Sequence, residues 1–213
     1  MEAKKTFLNL AKEKQKRVLE AALEEFSEKG YQGASINLIV SKLGIAKGSI
    51  YQYFTDKKSL FLYIFDYAVE LVRKRLKQVK QETREEPTFE RIRRSLLSAV
   101  DFIERHPLIY RIYLKMMFER EVPFRQELLK KIRLFSSEYL TSLLLEGREK
   151  GEIREDVDLK AIAFFIDAVM DRFLQAYAVP YLDSGLNLHW TRAPEIERHV
   201  DDIVGLIRNG IEK

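Results

Sequence analysis

The chain has 213 residues, 46% hydrophobic and 33% charged, which is enough apolar material for a sizeable core and excludes wholesale disorder. It contains no cysteine, which excludes a disulfide scaffold, a thiolate zinc site and a cysteine nucleophile. The net charge of +4 is unevenly placed: residues 1–60 hold eleven Lys or Arg against seven Asp or Glu, and the remainder is neutral. A basic N-terminal part beside a neutral remainder points to one piece for a polyanion and one for something else.

The helical period dominates. Val18, Ala21, Ala22, Glu25 and Phe26 set the first stripe, which stops at Lys29-Gly30. Ser35 is placed to cap a helix over 36–43 with Ile36, Ile39, Val40 and Leu43 on one face. Gly44 permits a tight turn, and a short helix follows over 46–53 with Ile50 and Phe54 turned inward. Thr55 or Asp56 caps a long helix to about residue 80, lined by Leu60, Phe61, Ile64, Phe65, Ala68, Leu71 and Val72. Further helices fit 88–105, 107–119, 123–150, 158–182 and 194–212, giving nine in all and no strand. Pro107, Pro123 and Pro194 sit near first-turn positions. No stretch has the apolar core of a signal peptide or the roughly 20 apolar residues of a membrane span. The expectation is a soluble, cytoplasmic, all-α protein with no membrane partner.

Residues 35–58 carry the most direct chemistry. Two short helical patterns flank Leu43-Gly44-Ile45, as in a helix-turn-helix whose second helix enters a DNA major groove. Such a helix needs small or polar residues facing the bases and apolar residues behind. Lys47, Gly48, Ser49, Tyr51, Gln52 and Tyr53 suit the first role, Ile50 and Phe54 the second. Gln52 suits an adenine edge, and Lys47 a guanine edge or a phosphate. Ser35 offers a hydroxyl and nearby N–H groups to a phosphate, and Lys42, Lys57 and Lys58 could clamp the backbone. Taken singly, Ser35 equally fits a plain cap, Tyr51 and Tyr53 plain packing, and Lys57 and Lys58 solvated charge. Order and spacing together favour DNA.

Residues 14–62 resemble the DNA-binding domain of the TetR family of transcriptional regulators. The resemblance rests on Ala21-Ala22 and Phe26, Gly30-Tyr31, Ser35, Ile39, Leu43-Gly44-Ile45, the run from Lys47 to Phe54, and Lys57-Lys58-Ser59-Leu60. Tyr53 stands where the family often has His. The stretch 147–158 also looks like the family's loop before its penultimate helix. The resemblance implies an all-helical homodimer, with a DNA-binding domain at 1–56 (helix-turn-helix about 36–54) and a ligand-binding and dimerisation domain at 57–213. It implies DNA contacts from Ser35, Asn37, Lys47, Gly48, Ser49, Tyr51, Gln52, Tyr53 and Lys57. It also implies repression of a palindromic operator, relieved by a small apolar or amphipathic effector.

The C-terminal part is rich in aromatic and flexible residues, which suit an adaptable apolar cavity. The expected ligand-lining set is Phe65, Phe102, Tyr110, Tyr113, Met117, Phe135, Tyr139, Phe165, Asp167 and Asp171; an ordinary helical core is the plainer reading of any one of them. Asp167 and Asp171, one turn apart in an apolar helix, suit a cationic or hydroxylated ligand, pairing with Arg172 or with another helix at the subunit contact, or partial exposure with a local salt bridge. The apolar faces of 158–182 and 194–212, the latter with Ile196, Val200, Ile203, Val204 and Ile207, suit a four-helix contact with a second copy or packing within one subunit. His106, His189 and His199 are scattered, and no nucleophile elbow, P-loop or dinucleotide fingerprint occurs. Neither an enzyme, a metal site nor a cofactor is expected. The competing reading is a cytosolic carrier for apolar molecules without a DNA role.

Overall fold

Some helix ends in this chain are set by local chemistry and others by distant residues. The computed structural model describes residues 3–213, except the side chains of Leu134 and Phe135. The helices are α1 (Lys5–Leu8), α2 (Lys12–Gly33), α3 (Ile36–Leu43), α4 (Lys47–Tyr53), α5 (Lys57–Glu82), α6 (Thr88–Arg105), α7 (Pro107–Phe118), α8 (Arg125–Glu149), α9 (Leu159–Ala178) and α10 (Glu195–Ile211), with a 3₁₀ turn at Leu188–Trp190. Among the described residues the only β pairing is an isolated bridge between Ile153 and Glu212, and no helix is long and apolar enough to cross a membrane.

Asp56 and Ser59 start α5 with a reciprocal cap. The Ser59 N–H donates to Asp56 Oδ1 at 2.7 Å and the Asp56 N–H to Ser59 Oγ at 3.1 Å, so two otherwise unpaired donors are satisfied. α9 stops at Ala178, four residues before the sequence-based boundary at 182. Pro180 disfavours the helical conformation at the residue before it, and Val179 is extended. The helix not anticipated, α1, is a single turn of four residues, too short to show a hydrophobic period.

The chain divides into two compact units. One comprises Met1–Val72 and His106–Leu129; the other comprises Arg73–Arg105 and Lys130–Lys213. The first is built around Phe7, Phe26, Ile39, Ile50, Phe54, Leu60 and Ile64, all almost fully buried. Phe61 sets its ring against Phe26 and Tyr31, both at 5.2 Å between centroids. α7 lies along α2 and buries Ile109, Ile112 and Met116, a spacing of three and four residues that lines one helical face.

Gly30 breaks the regular part of α2 with φ 67° and ψ −177°, a conformation open essentially to glycine. A Cβ there would also run into the Glu119 carboxylate. Gly30→Ala is therefore expected to cost about 2 kcal/mol or more. Urea unfolding would measure it, and adding Glu119→Ala should recover only the part due to the collision.

In the second unit, α6 packs on both α9 and α10. The stripe Ile196, Val200, Val204 and Ile207 is buried within the chain's own unit, and Ile203 is half-buried. Arg93 ties α6 to α10 through Asp201 at 2.5 Å and Glu197 at 3.5 Å. Phe164 and Phe165 on α9 and Leu206 on α10 remain open, at 75%, 54% and 74% exposure.

Candidate nucleic-acid interface

The first unit assembles the helix-turn-helix from the inside outward. Ile39, Val40 and Leu43 of α3 and Ile50 of α4 are buried, and Phe54 closes the layer behind them. Gly44 adopts φ 66°, ψ 33°, and the Ile45 N–H reaches back to the Val40 carbonyl at 3.2 Å. This left-handed exit satisfies the last α3 carbonyls and turns the chain sharply into α4. With Ile50 and Phe54 facing inward, helical geometry leaves Lys47, Gly48, Tyr51 and Gln52 on the open side, and all four are exposed. Ser49 and Tyr53 are half-buried, and the Tyr53 ring lies 5.8 Å from that of Phe7.

The start of α3 corrects one sequence-based expectation. Ser35 occupies the cap position, but its side chain makes no cap bond. The buried Glu25 of α2 accepts the Ser35 N–H at 2.9 Å instead, acting from a neighbouring helix as a capping-box glutamate would. This also explains an acidic residue in the apolar stripe of α2. Asn37, the second residue of α3, is exposed.

Lys57 lies beside this start. Its amino group donates to the Gln32 and Ala34 carbonyls, both at 3.1 Å, and lies 4.8 Å from the Tyr31 ring centre. Two of its three donors are thus committed internally. Lys58 sits 4.0 Å above the Phe124 ring, and Lys42 pairs with Glu24. Of the expected basic contacts, Lys47 is the one exposed on the open side of α4.

The expected ligand-lining residues are divided between the units. Phe65 is buried in the first, where Tyr110, Tyr113 and Met117 form a half-buried stripe beside the inward face of α7, the two tyrosine rings 5.5 Å apart. Phe102, Tyr139, Asp167 and Asp171 are half-buried in the second. Phe165 is mostly exposed, not turned into the core, because Ile162, Ala163 and Ile166 take the inward face of α9. The side chain of Phe135 lies outside the described residues. Asp167 and Asp171 are half-buried and form an ion-paired cluster within the chain: Arg133 of α8 reaches both, at 2.9 and 3.0 Å, and Gln175 adds a hydrogen bond to Asp171. Arg172 is exposed.

Sequence reasoning missed a buried polar track in the second unit. Arg91, Ser95 and Ser98 follow one another on one face of α6 and are at most 7% exposed. Arg91 donates to Glu146 at 2.7 Å, Ser142 to the same carboxylate at 3.1 Å, and Lys80 to Ser142 at 3.0 Å. Ser95 shares a 2.6 Å hydrogen bond with Tyr139. Ser98 Oγ and Arg91 Nε are buried without a protein partner. Burial works against ionisation of Glu146, but hydrogen bonding and charge from Arg91, then Ser142 and Lys80, outweigh it and hold the carboxyl below its ordinary value. The signal was a polar spacing of four and three residues through 91, 95 and 98, which on its own reads as a solvated face.

A short helix, a left-handed glycine turn and a second helix with an exposed Lys47-Gly48-Tyr51-Gln52 face define a helix-turn-helix DNA-binding protein. Residues 18–64 match the family model of bacterial regulatory proteins, tetR family. The chain is 26% identical over 166 residues to the HTH-type transcriptional repressor AcnR of Corynebacterium diphtheriae, covering 78% of this chain and 81% of that one. It is 26% identical over 177 residues to the fatty acid metabolism regulator protein of Bacillus subtilis, covering 78% and 87%. A crystal structure of a TetR family transcriptional regulator from Chloroflexus aurantiacus superposes over 100% of both chains with a TM-score of 0.73 and 27% identity. The chain belongs with the TetR family transcriptional regulators.

Proposed function

We propose that the chain is an effector-responsive repressor that binds a palindromic operator as a homodimer. The observation that carries the reading is the exposed Lys47-Gly48-Tyr51-Gln52 face of α4, held from behind by buried Ile50 and Phe54. Residues 1–56 read DNA, and residues 57–213 bind the effector and dimerise. Ser35, Asn37, Ser49, Tyr53 and Lys57 supply the remaining contacts, chiefly to phosphates. Phe164, Phe165 and Leu206, large apolar side chains left open on α9 and α10, supply the contact between copies.

The effector is amphipathic. Within the second unit, the half-buried Phe102 and Tyr139 suit an apolar body, and the unpaired Ser98 Oγ and Arg91 Nε of α6 suit a hydrogen-bonding group. Similarity to a fatty acid metabolism regulator makes fatty acyl compounds the first effectors to test. Effector and operator binding oppose each other through a coupling of about 1–3 kcal/mol, because each favours a different spacing of the paired recognition helices. Half-sites one turn apart require about 34–36 Å.

Selection of bound duplex from a random pool, repeated with fatty acids and their coenzyme A thioesters, tests this. The expected result is a palindromic motif, binding that weakens steeply with salt, and loss of the selected pool with an active acyl compound. Salt-insensitive or absent DNA binding would favour the carrier reading.

A further inference from the structure

α4 has only seven residues, far below the length at which a helix holds together by itself. Its last four carbonyls need partners from elsewhere. The Ile50 carbonyl accepts from the Phe54 N–H at 2.8 Å. The other three are taken by the N-terminal segment. Lys4 Nζ donates to the Tyr51 carbonyl at 2.6 Å, the Thr6 hydroxyl to the Gln52 carbonyl, and the Lys4 N–H to the Tyr53 carbonyl at 3.0 Å. The Lys4 ammonium also meets the negative end of the α4 dipole.

This segment is itself anchored. Phe7 is fully buried, with its ring 5.8 Å from Tyr53, 4.9 Å from Phe54 and 5.4 Å from Tyr63 of α5. Behind it, buried Gln15 of α2 donates to the Leu8 and Leu10 carbonyls at 3.0 and 2.8 Å, fixing the exit of α1. The rear of α4 is therefore tied through α1 to both α2 and α5.

We propose that Lys4, Thr6 and Phe7 are positioning residues for DNA reading: they cap and clamp the C-terminal end of α4 and so set the angle at which Lys47, Tyr51 and Gln52 meet the groove. They act through α4 and touch no base. The proposal rests on the DNA-reading role of α4.

The test uses the full chain, a duplex that the unmodified protein selects from a random pool, and an unrelated duplex of equal length. Thr6→Val removes the donor at constant shape, Thr6→Ser keeps it, and Lys4→Met keeps the stem without the charge. Thr6→Val and Lys4→Met should each weaken the selected duplex about fivefold, leaving the unrelated duplex and the salt slope nearly unchanged. Thr6→Ser should bind as the unmodified chain does. Amide exchange over residues 50–54 should quicken in Thr6→Val. Unchanged selected-duplex affinity with unchanged exchange would overturn the proposal, as would equal loss on both duplexes. A salt slope lower by about one in Lys4→Met would make Lys4 a phosphate contact instead. If the unmodified chain selects no duplex, the DNA reading itself fails, and exchange over 50–54 still decides the clamp.

Discussion

Lys47→Ala combined with Tyr51→Ala is expected to weaken operator binding about a hundredfold, because a good base-edge contact contributes about 1–3 kcal/mol and two are removed. Both side chains are exposed, and neither has a part in the core of Ile50, Phe54 and Ile39. The variant should therefore keep its helical circular dichroism and its thermal midpoint. A gel shift or anisotropy titration against the selected operator measures the loss. Lys57→Ala should behave differently, because two of its amino donors already hold the Gln32 and Ala34 carbonyls. It should loosen the start of α3 as well as remove a positive charge. Operator affinity unaltered in the double variant would move the reading face away from α4.

Glu146→Ala should destabilise the second unit by about 2–3 kcal/mol. It leaves the Arg91 guanidinium, 1% exposed, without its carboxylate. The loss stays below that of a fully buried pair because 37% of the Glu146 side chain faces solvent. Replacing both members, as Arg91→Met with Glu146→Leu, should recover most of it, since two apolar groups leave no unpaired charge. Urea unfolding of the two variants separates these outcomes. The pair also sets a pH dependence. The carboxyl is held below its ordinary value of 4.5, so its contribution is complete at neutral pH and is lost as pH falls through the lower, folded value. The gap in thermal midpoint between wild type and Glu146→Gln should be widest near neutrality and close in acid. A gap independent of pH would mean that Glu146 stabilises by packing alone.

The recognition element was legible because its determinants are local. A glycine that must turn left-handed, apolar residues three and four apart, and a polar face on a seven-residue helix are all written within residues 35–58. The C-terminal part was less legible. Its helices could be placed by period, but their partners depend on how period-matched faces are matched in space. The stripe on α10 could have faced a second copy or its own chain; packing against α6 decided it. Asp167 and Asp171 meet Arg133, over thirty positions away in sequence, a pairing that no local pattern announces.

The sequence by itself determined an all-helical chain, the helix-turn-helix, its inward Ile50 and Phe54 and its open Lys47, Gly48, Tyr51 and Gln52, because helical period acts over a few neighbouring positions. Tertiary structure alone decided which distant groups complete the polar valences. Glu25 takes the Ser35 N–H at the start of α3, Lys4 and Thr6 close the end of α4 from the N-terminus, and Glu146 neutralises Arg91 inside the second unit. Each is a long-range answer to a local deficit. A helix end or a buried charge announces in the sequence that it needs a partner, but only the folded chain chooses which one.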